Sequence, residues 1–267
     1  MAVVIEIRQI ETVIFDWAGT LVDDGSYAPV DALMRVFDAA GLAVTEATCR
    51  KPMGLLKRDH IRAILFMDEQ VERWRDLFGL PPAEADVERL SVHLEEIMPG
   101  VALEHSEPVP GVLDAVTQLR RDGVTIGSTT GYTRRTLDIL QPAAAAHGLA
   151  VDFAVASDDV PSGRPQPWMI LRNLEALGAY PPARVVKVGD TPLDMMEARN
   201  AGCIAAGVIY GGNEVGRSSV ELRGMPPEVR EPMVAECRKR LIDAGAHLVL
   251  ESLAELPQLL SEGLVLA

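Results

Sequence analysis

A chain of 267 residues can form one large domain, or one domain carrying a sizeable insertion. With 48% hydrophobic and 24% charged residues it is ordinary for a globular protein, which excludes a disordered tail or a collagen-like repeat. Asp and Glu number 39 against 25 Lys and Arg, a formal charge of −14, so the field disfavours nucleic acid and anionic lipid, and any anionic ligand needs positive charge placed locally.

Along the chain, MAVVIEIRQIE lacks a basic region followed by an apolar stretch, and no window reaches the roughly 18 apolar residues of a membrane span. The first strand is expected at Thr12-Val-Ile-Phe-Asp16. Helical periodicity alone follows, with helices expected over 30–40, 53–67, 69–78 and 83–97 and breaks at Pro52 and Pro81-Pro82. Pro108-Val-Pro-Gly111 signals the next core helix. Strands are then expected at Val124-Thr-Ile-Gly-Ser128, Val151-Asp-Phe-Ala-Val155, Arg184-Val-Val-Lys-Val188 and Cys203-Ile-Ala-Ala-Gly-Val208. Ala143 to Ala146 is a short helix-compatible run, and past Gly211 a helix-like run ends near Ala244 without a motif. Strands alternating with helices imply an α/β fold, a doubly wound parallel sheet with an inserted α-helical cap. The expected division is a core of 1–25 and 104–267 and a cap of 26–103. Cys49, Cys203 and Cys237 show no CxxC spacing, which fits a reducing, cytoplasmic setting and neither a disulfide framework nor a zinc site.

In such sheets functional groups gather at the carboxyl ends of strands. Asp16-Trp-Ala-Gly-Thr20 puts a carboxylate at one strand end, with Gly19 permitting a tight turn; Val188-Gly-Asp-Thr191 puts Asp190 at another, and Asp194 follows four residues on. Like charges converging there repel unless a divalent cation sits among them, and Mg²⁺ is expected because it prefers oxygen ligands. Asp194 has a second reading: with Thr191 as N-cap and Pro192 at the first helical position, an acid at the third helical position makes a capping box.

In the cap, Arg50-Lys-Pro-Met-Gly-Leu-Leu-Lys57-Arg-Asp-His60-Ile predicts a helix from about Met53. Gly54, Lys57, His60 or Ile61, and Ile64 would share a stripe. At an ordinary pKa of about 10.4, only on the order of one lysine in a few thousand is neutral at pH 7. An amine nucleophile at Lys57 therefore needs desolvation or nearby cations, which Lys51, Arg58 and a closing cap are expected to supply.

Asp16, Thr130, Arg164 in Ser162-Gly-Arg-Pro165, and Asp190 with Asp194 resemble the four motifs of the haloacid dehalogenase superfamily. The resemblance implies that a strand-end Asp attacks phosphorus, Thr130 and Arg164 hold the phosphoryl group, and acids hold Mg²⁺. Two departures matter. Ala18 stands where ordinary phosphatases of that class carry the acid that protonates a leaving alkoxide, a loss of about 10²–10⁴ in rate if that proton were needed. Arg164 stands where Lys is common; it grips phosphoryl oxygens with two parallel hydrogen bonds.

A narrower resemblance rests on Asp16-Trp-Ala-Gly-Thr20, Lys51-Pro-Met-Gly-Leu-Leu-Lys57 with His60, Gly127-Ser-Thr-Thr-Gly-Tyr132-Thr133, Gly163-Arg-Pro with Pro167-Trp-Met169, and Val188-Gly-Asp-Thr191. From about residue 10 to about 255 the chain is similar to the phosphonatase family, the phosphonoacetaldehyde hydrolases. That resemblance implies a homodimer that takes a small-molecule phosphonate, with Asp16 as nucleophile and Lys57 as the imine-forming amine. It maps Mg²⁺ to Asp16, the Ala18 carbonyl and Asp190, and places Tyr132 and Met53 near the imine. His60, with an ordinary pKa near 6.5, would shuttle protons. Ser26 falls at a hinge position where some relatives carry Cys. The rival readings are a phosphatase or mutase acting on an ester, against which Ala18 weighs, and a catalytically idle binding relative, against which the intact acidic and basic positions weigh.

Overall fold

In the computed structural model, which describes residues 5–7, 10–53 and 55–266, strand β1 (Ile5–Ile7) leads to the buried strand β2 (Thr12–Phe15). Helices α1 (Ala28–Ala39), α2 (Glu46–Arg50), α3 (Lys57–Leu65), α4 (Asp68–Phe78) and α5 (Glu84–Glu104) follow. The chain then alternates: α6 (Val112–Arg121), β3 (Thr125–Thr129), α7 (Arg134–Ala146), β4 (Phe153–Val155), α8 (Trp168–Leu177), β5 (Val185–Gly189), α9 (Pro192–Asn200) and β6 (Ile204–Val208). It closes with α10 (Ser219–Gly224), α11 (Pro227–Asp243), β7 (Leu248–Leu250), α12 (Leu256–Glu262) and β8 (Leu264–Leu266).

The main sheet runs β4-β3-β2-β5-β6-β7 with every neighbour parallel. A parallel sheet covered on both faces selects β-branched and apolar residues at successive positions, and β2 shows why. Val13 and Phe15 pack on one face with Val116, Leu119, Leu137 and Leu140, while Ile14 packs on the other with Ile170, Met195, Ala198 and Ala205. From β2 the chain proceeds outward in both directions, to β3 and β4 on one side and through β5 and β6 on the other. The end of β2 is therefore a switch point, where a crevice opens beyond the strand ends. Asp16 sits there, its N–H donating to the Val188 carbonyl at 2.9 Å.

The core strands lie within two residues of their sequence positions; β7 and the antiparallel pair of β1 with β8 were not anticipated, being three-residue runs. The cap departs more. The helix expected over 53–67 begins only at Lys57, and Pro52 falls in a turn after α2. Pro52 has no N–H to continue the helical hydrogen bonding, so α2 ends at Arg50 and a loop joins it to α3. Gly54, expected on the stripe, lies outside the described residues. His60, Ile61 and Ile64 are buried on that stripe, while Lys57 stands half-buried in the first turn. Helix α5 continues past Pro99 to Glu104, and Ala143 to Ala146 prove to be the last turn of α7.

Helices α1 to α5 stand between β2 and α6, and the chain enters and leaves them along paired segments. The Asp23 N–H donates to the Glu107 carbonyl at 3.1 Å and the Val109 N–H to the Leu21 carbonyl at 3.0 Å. The Asp23 carboxylate accepts the N–H groups of Tyr27 and Ala28 at the start of α1 (2.8 and 2.9 Å).

Candidate active site

Asp190 ends β5, where its carboxylate accepts the Asn213 N–H at 2.7 Å and the Thr20 hydroxyl at 3.3 Å. Gly19 lets this happen: its φ is +80°, and a Cβ there would come within 2.3 Å of an Asp190 carboxylate oxygen. Any side chain at Gly19 would thus be strained and would displace the acid. Arg164 is almost fully buried and donates to Asp16 at 2.5 Å, to Glu197 at 3.1 Å and to the Thr129 hydroxyl at 3.0 Å. Its remaining nitrogen lies 3.2 Å from Asp194. The guanidinium fork is thereby fixed in plane against the nucleophile position.

Asp194 closes the capping box at the start of α9: it accepts the Thr191 hydroxyl at 2.6 Å while its own N–H donates to that hydroxyl. It also pairs with the fully buried Lys187 at 2.9 Å. Burial alone would raise its carboxyl, but Arg164 and Lys187 hold it below the ordinary value. Asp16 and Asp190 behave oppositely. Burial pushes Asp16 up against the pull of Arg164, and burial together with the nearby Asp16 pushes Asp190 well above the usual carboxylate range.

One oxygen from each of Asp16, Asp190 and Asp194 falls within 4.8 Å of the others. Four buried carboxylates, Asp16, Asp190, Asp194 and Glu197, surround two buried cations, Arg164 and Lys187. The difference of two negative charges, with Asp16 and Asp190 the two acids facing the adjoining cavity, fits one divalent cation with oxygen ligands. Asp16, Asp190 and Ala18 line the adjoining cavity, whereas Asp194 sits behind it among its ion pairs.

That cavity is small, about 30 Å³, room for one or two waters. Sheet residues Asp16, Thr130, Tyr132 and Arg164 line it, and so do Met53 and Lys57 from the cap. Leu56 lies so near Gly163 that a Cβ on that glycine would meet it at 2.6 Å, so the cap rests directly on the loop carrying Arg164. Thr130 is fixed by accepting the Tyr132 N–H at 3.1 Å. Ser26, with φ of +52°, also borders the cavity.

The Lys57 ammonium lies 5.4 Å from the centre of the Tyr132 ring. Burial lowers its pKa to about 8, with Asp16 opposing and Arg164 assisting. Roughly one amine in ten is then neutral at pH 7, a gain of several hundredfold over an ordinary lysine. The cations expected to do this do not. Lys51 is exposed, and Arg58 turns away to Glu84 and Glu88. His60 also departs from expectation: it is fully buried, its Nε2 lies 2.7 Å from the Cys49 carbonyl, and burial and then the Lys57 charge push its pKa down to about 3. With Nε2 donating, Nδ1 is a neutral, unprotonated nitrogen with no hydrogen-bond partner among the described residues.

Sequence reasoning missed Lys187, Glu197 and Asn213, which hold Asp194, Arg164 and Asp190 respectively. Only Lys187 left a signal, a charge inside the apolar run Arg184-Val-Val-Lys-Val188.

The haloacid dehalogenase-like hydrolase family model matches residues 10–202. The phosphonoacetaldehyde hydrolase of Bacillus cytotoxicus is 45% identical over 252 residues, spanning 94% of this chain and 96% of its own length. That of Bacillus cereus is 44% identical over 248 residues, 93% of this chain and 94% of its own. Among solved structures, a phosphonoacetaldehyde hydrolase-like protein from Oleispira antarctica superposes with a TM-score of 0.91 at 32% identity, covering 99% of both chains.

Proposed function

Because the chain belongs to the phosphonoacetaldehyde hydrolases, within the haloacid dehalogenase-like hydrolases, we propose that it hydrolyses the carbon–phosphorus bond of phosphonoacetaldehyde to acetaldehyde and phosphate. One observation carries this reading: Lys57 from the segment 26–103, taken as the cap, and Asp16 from the sheet line a single small cavity.

A carbanion leaving phosphorus is too unstable to depart alone. The neutral Lys57 amine adds to the aldehyde and, with loss of water, forms a protonated imine on the carbon next to the departing one. The Asp16 carboxylate then attacks phosphorus, and the carbon–phosphorus electrons flow into the imine to give a neutral enamine. Protonation of the enamine carbon regenerates an imine, whose hydrolysis frees acetaldehyde and Lys57. Water opens the aspartyl phosphate, releasing phosphate and Asp16. No alkoxide forms, so Ala18 in the acid's usual place costs nothing.

Arg164 and Thr130 hold phosphoryl oxygens, and Arg164 remains charged throughout. Asp16, Asp190 and the Ala18 carbonyl would hold Mg²⁺, with Asp194 supporting from behind, and the ion would supply positive charge beside the phosphoryl oxygens. His60, buried one turn after Lys57 and neutral at pH 7, fixes the Lys57 helix through its contact with the Cys49 carbonyl. Tyr132 is buried with its hydroxyl pKa raised well above the ordinary value, so it stays neutral beside Lys57. Three buried cysteines, Cys49, Cys203 and Cys237, fit a reducing cytoplasm. The exposed apolar residues Leu77, Phe78 and Leu80 at the end of α4 fit a homodimer contact. Among the described residues, no helix is long and apolar enough to cross a membrane.

Product analysis tests the reaction. Purified protein given phosphonoacetaldehyde should release acetaldehyde and orthophosphate in equal amounts; orthophosphate without acetaldehyde would contradict the reading.

A further inference from the structure

The site cavity, about 30 Å³, is too small to admit the substrate without movement, and the chain's charge of −14 opposes an anion at long range. Beside it lies a larger, open cavity of about 880 Å³, bounded by the end of α2 and its following loop on one side and by the loop 213–217 after β6 on the other. The two cavities share Met53 and Leu55 as a common wall. Arg50, Lys51, Arg217 and Arg240 line the larger one against only Glu46 and Glu214, an excess of two positive charges in an acidic protein.

These cations are not equivalent. Arg50 is committed to structure, binding Glu46 at 2.8 Å, the Gly25 and Ser26 carbonyls and the Asn213 side chain. Arg240 pairs with Glu214 at 3.2 Å. Arg217 reaches the same Glu46 only at 3.6 Å, so two guanidinium groups share one carboxylate. Lys51 is exposed and has no ion-pair partner among the described residues.

We propose that this cavity is the port for the phosphonate anion, with Lys51 and Arg217 as the charges that draw it in and favour anionic over neutral aldehydes. The proposal rests on the reading of the substrate as a phosphonate. A concave wall of one sign raises the local concentration of an opposite ion and its rate of arrival by about 10–10³-fold, and salt removes the effect as the screening length shrinks. Met53 and Leu55, which line both cavities, separate the port from the smaller cavity that Arg164 lines.

The test compares wild type with a Lys51→Glu/Arg217→Glu double variant, and with Lys51→Gln/Arg217→Gln in case the reversed charges disturb Glu46. At an ionic strength of about 0.01 M, where screening reaches only beyond ~30 Å, kcat/KM for phosphonoacetaldehyde should fall at least about tenfold in the Glu pair and less in the Gln pair. The gap should close to within about twofold near 1 M salt, where screening acts within ~3 Å, with kcat unchanged. Neutral acetaldehyde, trapped on Lys57 by borohydride at subsaturating concentration, should react equally fast in every form. An active wild type with undiminished kcat/KM in both variants, a loss that salt does not reverse, or an equal loss for acetaldehyde would overturn the port alone. A wild type that releases no acetaldehyde from phosphonoacetaldehyde would overturn the substrate reading and the port with it.

Discussion

On the sheet side of the cavity, Arg164 is held by Asp16, Glu197, Asp194 and Thr129, and Asp190 by Asn213 and Thr20. On the cap side, Lys57 rises from the first turn of a short helix and rests half-buried over the Tyr132 ring. In the proposed mechanism the wall that handles phosphorus is fixed in place by its own network, whereas the amine owes its low pKa first to burial. Burial between cap and sheet is the largest cause of the low Lys57 pKa. One wall is preorganised for charge and the other is made reactive by burial.

Substitutions can separate the two walls. Asp16→Asn should have the largest effect, removing turnover by about 10⁴-fold or more while circular dichroism stays native. Borohydride trapping of acetaldehyde should persist in that variant, because Lys57 stays in place and loses only the Asp16 charge that opposes its low pKa. Lys57→Arg keeps the charge but cannot form an imine, so carbon–phosphorus cleavage should fall by at least about 10³-fold. Inorganic phosphate should still bind that variant in the presence of Mg²⁺ with an affinity within a few-fold of wild type. Near-normal turnover would contradict the amine's role.

Chelation should act on the sheet wall only. EDTA should suppress turnover and Mg²⁺ restore it, while trapping of neutral acetaldehyde continues; full turnover in demonstrably metal-free protein would contradict the carboxylate assignment. The smallest expected effect is on stability. His60 has a folded pKa of about 3 against about 6.5 unfolded, so between these values the unfolded chain binds the extra proton. Its contribution to stability is therefore lost as pH falls through this window, by up to about 1.4 kcal/mol per pH unit. Urea unfolding at pH 4 and pH 7 should show a smaller difference for His60→Gln than for wild type.

Much of the sheet wall was legible because central parallel strands are continuous apolar runs that end where the chemistry begins, as at Thr12-Val-Ile-Phe-Asp16. Gly19 could be read for its turn, though not for the close approach of Asp190 that makes it necessary. Glu197 and Asn213 were illegible, since each acts across the fold on a residue far away in sequence. In the cap, periodicity carried the stripe of Ile61 and Ile64 and the break at Pro52 correctly, but began the helix at about Met53 where it starts at Lys57. Charges adjacent in sequence proved a poor guide to those adjacent in space: Arg164, not Lys51 or Arg58, is the cation that depresses Lys57. His60 was located by its spacing, yet its depressed pKa arises from complete burial beside Lys57, which no local pattern reveals.

The most direct test of a cap amine and a sheet carboxylate meeting on one molecule is borohydride reduction during turnover of phosphonoacetaldehyde, followed by peptide mass mapping. A two-carbon adduct on Lys57, with capture rising about tenfold per pH unit below pH 8 and levelling above it, is the predicted result. Continued acetaldehyde release with no adduct on Lys57, or an adduct on another lysine, would contradict the account.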